Sequence, residues 1–126
     1  MKPEDVAVWG RFIAKNPGLF ESCDYDMALG VGAPVDPNHP EEIQRDHTIL
    51  TQKKVDVVAY RLDQVTLIEV KPIADMRAMG QIMTYHHLYT QAHPEQTNVW
   101  KMVVCGKVER ELAEIFANNG ILIRVA

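Results

Sequence analysis

The sequence predicts an α/β fold in which a mixed central β-sheet is flanked by helices on both faces, with the element order α-β-β-β-α-β-α-β. Val- and Ile-rich segments of strand length recur along the chain, and amphipathic segments of helical period lie between them. Two of the strands are separated only by a short polar connection. The 126 residues fit one domain, residues 1–126, which is large enough to bury a core without disulfides.

The first half of the chain is predicted to contain one helix, one strand and a long loop. Pro3 followed by two acidic residues is typical of a helix start, and apolar residues at helical spacing extend this helix over residues 3–15. Residues 23–31 are predicted to form a strand. The proline-containing stretch 32–47 predicts a long loop with at most one helical turn, at 41–45.

The second half alternates strands and helices. Two strands joined by a short connection are predicted to form a hairpin, and Pro72 is expected to end its ladder because proline has no N–H. The last helix has one clear apolar face and is expected to stop at Gly120. The predicted elements are strands at 54–61 and 65–70, a helix from 74 or 75 to about 91, a strand at 98–104, a helix starting near 108 and a strand at 121–125.

Composition excludes some classes of protein. No apolar run approaches the length of a membrane span, and the N-terminus carries acids where a signal peptide carries bases. We therefore expect a cytoplasmic protein (in the host cytoplasm if a phage encodes it) with no membrane partner. The net charge of −4 disfavours a protein that coats nucleic acid. The negative net charge does not exclude a nuclease, because a metal site needs clustered carboxylates and the bound cation reverses their local charge.

Two acidic residues lie inside otherwise apolar strands. Asp56 stands in VDVV and Glu69 in LIEV, and acids at such positions are rare unless they are paired or bind a metal. Lys71 shares the strand face of Glu69, because residues i and i+2 point the same way. Two carboxylates and the Val70 carbonyl are enough to hold Mg²⁺, which takes oxygen ligands. The pattern therefore predicts metal-assisted hydrolysis of phosphodiesters.

This pattern resembles the core of the PD-(D/E)XK nuclease superfamily, whose fold is called restriction-endonuclease-like. Asp56 matches the motif aspartate, and residues 69–71 match the (D/E)-x-K. In the next helix, Gln81 and Tyr85 resemble the Gln-x-x-x-Tyr motif of the RecB-like branch, and residues four apart share a helix face. Val55 stands where the proline of the motif name would be.

The resemblance implies a Mg²⁺-dependent deoxyribonuclease in which Mn²⁺ can substitute. Asp56, Glu69 and the Val70 carbonyl would bind the metal, and Lys71 would assist the attacking water. Gln81 and Tyr85 would support the site. Many members add an acid on or after the first helix. Here Glu21 and Glu4 are the candidates, and the sequence does not decide between them.

DNA is the expected partner, with RNA left open, and the short chain favours endonucleolytic cutting. Small chains of this superfamily gain binding surface by forming a homo-oligomer or joining a larger complex, which points by analogy to a phage or mobile-element protein. The alternative is a non-catalytic structural or adaptor protein that retains the fold, for example in a phage particle. A basic cleft around Asp56 would favour the enzyme, and an exposed apolar patch would favour the adaptor.

Overall fold

The computed structural model describes all 126 residues, which form five strands and four α-helices. No helix has both the length and the apolar character needed to cross a membrane. In chain order the elements are α1 (Pro3–Lys15), β1 (Ser22–Leu29), α2 (Glu41–Thr51), β2 (Lys53–Arg61), β3 (Gln64–Ala74), α3 (Met76–Ala92), β4 (Val99–Val108), a 3₁₀ turn (Arg110–Leu112), α4 (Ala113–Asn118) and β5 (Ile121–Val125).

The strands form one mixed sheet in the order β1-β2-β3-β4-β5. The first three strands are antiparallel, with Val57 opposite Ile68 in the β2/β3 pair. A short connection joins β2 and β3, whereas the segment that contains α2 joins β1 and β2. β3, β4 and β5 are parallel, and α3 and α4 are in the crossovers between them. The expected mixed sheet is confirmed.

Two apolar clusters lie on opposite faces of this sheet. On one face, α1 packs Val8, Trp9 and Phe12 against strand residues such as Ile68. The other face is covered mainly by α3 and α4, whose contributions to the core include Ile82 and Phe116. Fully burying a large apolar side chain contributes about 1.5–3 kcal/mol, so both helical layers stabilise the sheet. Helices on both faces are therefore confirmed.

The first departure from the predicted order is α2. The stretch that was expected to be a loop contains an 11-residue helix, and the observed order is α-β-α-β-β-α-β-α-β. None of the residues of α2 is buried. Its apolar residues Ile43, Ile49 and Leu50 stay exposed, so burial in the core does not hold this helix. The loop was predicted because three prolines, at positions 34, 37 and 40, precede it.

The second departure is at Pro72, where the ladder was expected to end. β3 continues to Ala74 because it remains paired with β4 beyond the proline. The β2/β3 pairing has already ended before residue 72, so at the proline β3 is a strand with one neighbour, where proline is tolerated. The extension of β4 to Val108 likewise shortens the last helix, which begins as the 3₁₀ turn.

Candidate active site at the end of the β2/β3 ladder

Asp56 and Glu69 lie side by side where the β2/β3 ladder ends. The last paired residues are Val57 and Ile68, and the two acids are the next residue on each strand. The Val70 N–H donates a hydrogen bond of 2.8 Å to Oδ2 of Asp56. The Asp56 side chain thus takes the place of a ladder carbonyl and holds its carboxyl group between the strands.

Glu69 is buried, with only 3% of its surface exposed. Its Oε1 lies 3.5 Å from Nζ of Lys71, which confirms that the two residues share a strand face. Its Oε2 is buried and has no hydrogen-bond partner. A buried carboxylate oxygen without a partner is costly, so this atom calls for a proton or a cation.

Burial and mutual repulsion keep the two acids from ionising together. Burial and, next, the charge of Asp56 raise the pKa of Glu69 to about 8, although Lys71 opposes the rise. Burial also raises the pKa of Asp56, against the hydrogen bond from Val70. Like charges in contact favour a shared proton, so the pair on its own retains one proton at neutral pH.

Helix α3 brings Gln81 and Tyr85 to the same place. Burial raises the pKa of the Tyr85 hydroxyl to about 12, and the next contributions come from the charges of Glu69 and Asp56. The Gln81 side chain contacts this hydroxyl and lowers its pKa, as an amide donor would. Oε1 of Gln81 is buried and has no hydrogen-bond partner. The helix therefore adds an unpaired acceptor and a protonated hydroxyl to the carboxyl pair.

The structure does not bring Glu21 or Glu4 to this group. Glu21 is exposed, and its N–H donates to the carbonyl of Tyr60, four residues along β2 from Asp56 or roughly 13 Å away. Glu4 is exposed on α1. The buried acid of α1 is the next residue, Asp5, whose charge raises the pKa of Asp56.

The sequence analysis did not select Asp5, although its spacing along α1 indicated that it would be buried. The buried residues of α1 are Asp5, Val8, Trp9 and Phe12. Their spacing of three, one and three places them on one helix face, so Asp5 extends the apolar stripe that packs on the sheet. An acid in phase with a buried stripe is a stronger candidate than its exposed neighbour.

The available donors suit a hard cation that keeps some of its waters. No three His, Cys, Asp or Glu side chains come together in a way that could hold a metal. The site offers two carboxylates, and the Val70 carbonyl projects to the same side of β3 as its N–H, towards Asp56. This oxygen-only set, with the unpartnered Oε2 of Glu69, fits Mg²⁺ or Mn²⁺ and lacks the four ligands of a structural zinc site.

A cavity of about 470 Å³ lies beside the carboxyl pair on the α3 side. Lys53 and Arg77 supply positive charge to its wall, while the hydroxyl of Thr84 donates to the Gly80 carbonyl. Gln81 and Tyr85 also line it, so these two side chains lie between the cavity and the acids. Its chemistry suits a phosphate group, since cations and hydroxyl donors are the usual phosphate ligands.

No protein-family model and no curated protein matches the sequence. The fold is similar to that of a repair endonuclease from Pyrococcus abyssi, with a TM-score of 0.57 and 19% identity over 96% of this chain. It is also similar to the structure of an EndoMS–dsDNA2 complex, with a TM-score of 0.55 and 15% identity, again over 96% of this chain.

The chain spans a little under half the length of these two proteins, 46% and 44%. At such low identity the likeness concerns the fold alone. It covers the whole arrangement described above, the five-stranded mixed sheet with helices on both faces. The chain therefore has the restriction-endonuclease-like fold that its sequence motifs predict.

Proposed function

We propose that this protein is a metal-dependent endonuclease that hydrolyses phosphodiester bonds in DNA. The observation that carries the proposal is the contact between Asp56 and Glu69, with Oε2 of Glu69 buried and unpartnered beside Lys71. A buried carboxyl group beside a half-buried one destabilises a fold unless a proton or a cation joins them. A catalytic cation would stabilise the two carboxylates and give them a functional role.

Asp56, Glu69 and the Val70 carbonyl would hold Mg²⁺, and Mn²⁺ would take the same oxygen ligands. When bound, the ion supplies a Lewis acid and lowers the pKa of a water molecule. The protein contributes rigidity, because both carboxyl groups stand on strands and Asp56 is fixed by its 2.8 Å bond from Val70. This fixed placement reduces the reorganisation that the reaction requires.

Lys71 can position the attacking water or neutralise the phosphate. Its ammonium group is 3.5 Å from Glu69, and its side chain is 22% exposed, so it is held in place but still reaches the solvent. Gln81 offers its unpartnered Oε1 as an acceptor. Tyr85 remains protonated at neutral pH because its pKa is raised to about 12, so its hydroxyl can donate. These roles correspond to the RecB-like helix motif.

Two findings favour DNA as the substrate. Proteins of similar fold include a repair endonuclease and one determined as a complex with double-stranded DNA. The cavity beside the carboxyl pair also carries the cations Lys53 and Arg77, which suit a phosphate backbone. We also propose, as the sequence resemblance implies, that the protein forms a homo-oligomer or joins a larger complex.

The test is cleavage of supercoiled plasmid, single-stranded DNA, branched DNA and an RNA hairpin, each with Mg²⁺, Mn²⁺ or EDTA. Wild-type protein should cut DNA with either ion and not in EDTA. Glu69→Gln should abolish cutting and Lys71→Ala should slow it strongly, while Glu21→Gln, distant from the site, should cut normally. Cutting of RNA alone would change the substrate class.

An adaptor role is the second candidate, and one observation favours it. An apolar groove of about 550 Å³ between β4, β5 and α4 includes Trp100, which is 43% exposed. Exposed apolar surface of this kind suits a protein partner. Folded wild-type protein that cuts no substrate and binds no Mg²⁺ in a calorimetric titration would overturn the nuclease proposal and favour the adaptor.

A further inference from the structure

Exposed cations are concentrated at the end of the sheet that carries the carboxyl pair. None of them forms an ion pair with an acid. Among the acids at this end, Asp75 caps α3, Asp26 binds the amino group of Met1, and Glu109 is exposed after β4, so the five cations outnumber the acids that remain free. This end of the sheet is therefore locally basic, although the net charge of the protein is −4. The cations are Arg11, Lys53, Lys54, Arg77 and Lys107.

On the α3 face of the sheet, the cations reach the carboxyl pair through the cavity. Lys53 at the start of β2 and Arg77 in the first turn of α3 line the cavity together with Gln81 and Tyr85. Arg77, Gln81 and Tyr85 follow one another at intervals of four residues, so they share one face of α3. A phosphate in this cavity would meet two cations within reach of the acids.

On the opposite face, α1 places Arg11 beside the same strand end. A Cβ built at Gly106 would lie 2.9 Å from the Pro72 carbonyl and 3.9 Å from the Arg11 guanidinium. Gly106 thus lets β4 and β3 approach closely and leaves Arg11 lying over them. Pro72 directly follows Lys71, so Arg11 is a cation on the second side of the catalytic strand.

We infer that a DNA strand crosses the end of β3 from one face of the sheet to the other. Arg77 and Lys53 hold one backbone phosphate on the α3 side, and Arg11 holds another on the α1 side. The phosphodiester linkage between these two positions then lies against Asp56 and Glu69. The inference rests on the proposed function and extends it by naming the strand path. These contacts neutralise phosphates and read no bases, so binding along this path is independent of sequence.

The experiment measures binding of a labelled 20-base-pair duplex in EDTA, where no cutting occurs, over a range of salt concentrations. Each phosphate contact contributes about 0.9 to the slope of log affinity against log salt. Arg11→Gln and Arg77→Gln should each lower the slope by about 0.9, and the double variant by about 1.8, because the residues lie on different faces. Arg77→Lys should restore most of the slope.

Arg61→Gln is the matched control, since it removes an exposed cation from the opposite end of β2 and should leave the slope unchanged. A normal slope in both Arg11→Gln and Arg77→Gln would overturn the strand path, as would an equal loss in Arg61→Gln. If such variants still bind normally while wild-type protein cuts DNA, the path is wrong and the nuclease stands. If wild-type protein neither binds nor cuts any DNA, both are wrong.

Discussion

The main-chain N–H of Val70 is bonded to the carboxylate of Asp56 at 2.8 Å, across two strands whose regular pairing has just ended. One side chain therefore both closes the ladder and presents a carboxyl group next to Glu69. The β-sheet itself holds the carboxyl group of Asp56 in place, so no loop is needed to position it. The charge balance of this pair leads to the predictions below.

Binding of Mg²⁺ should release a proton at neutral pH. The pKa of Glu69 is raised to about 8, so the free pair holds a proton that the cation must displace. We expect the affinity for Mg²⁺ to rise by up to about tenfold per pH unit between pH 6 and 8. Calorimetric titration in buffers of different ionisation enthalpy measures the proton count, and a count of zero throughout would contradict the prediction.

Glu69→Gln should stabilise the metal-free protein at high pH. The folded protein keeps the Glu69 proton up to about pH 8, whereas the unfolded chain loses it near pH 4.5. Wild-type stability should therefore fall as the pH rises through this window. Urea unfolding in EDTA should show Glu69→Gln to be more stable at pH 8 by roughly 1–3 kcal/mol and equal to wild type near pH 4.5. Glu114→Gln, on the surface of α4, should show no such trend.

Lys71→Met should slow cutting and shift its pH dependence upwards. Lys71 lowers the pKa of Glu69, so its removal lets that pKa rise and delays metal binding to higher pH. We expect a rate loss of roughly 10²–10⁴ at pH 7.5, the usual scale for a group that assists proton transfer or stabilises charge. Lys71→Arg keeps the charge and should hold the pH midpoint near that of wild type. An unshifted midpoint in Lys71→Met would mean that Lys71 does not act on Glu69.

Tyr85→Phe should reduce the cutting rate about tenfold or more while changing stability by less than about 1.5 kcal/mol. The ring fills the core and is retained, and only the hydroxyl beside Gln81 and the acids is lost. Tyr89→Phe is the control, because Tyr89 is buried on the same helix but its hydroxyl contacts Tyr60. Equal rate losses in the two variants would indicate a general packing defect and remove Tyr85 from the site.

Much of the site could be predicted because its geometry is local. Glu69 and Lys71 lie two apart on a strand, and Gln81 and Tyr85 lie four apart on a helix, so strand and helix periods alone place each pair on one face. Apolar residues on either side of Asp56 and Glu69 also indicated burial, which the structure shows for Glu69. The hairpin and the mixed sheet followed from the same periods.

The sequence by itself thus determined which segments are strands or helices and which side chains share a face, because these depend on periods of a few residues. Tertiary structure alone decided contacts that depend on how elements cross. It placed Asp5 rather than Glu4 or Glu21 near Asp56, and Arg11 beside Pro72. It also made α2 a helix outside the core and carried β3 past Pro72 through pairing with β4. Such outcomes depend on packing and pairing between distant segments, and short-range periodicity carries no information about them.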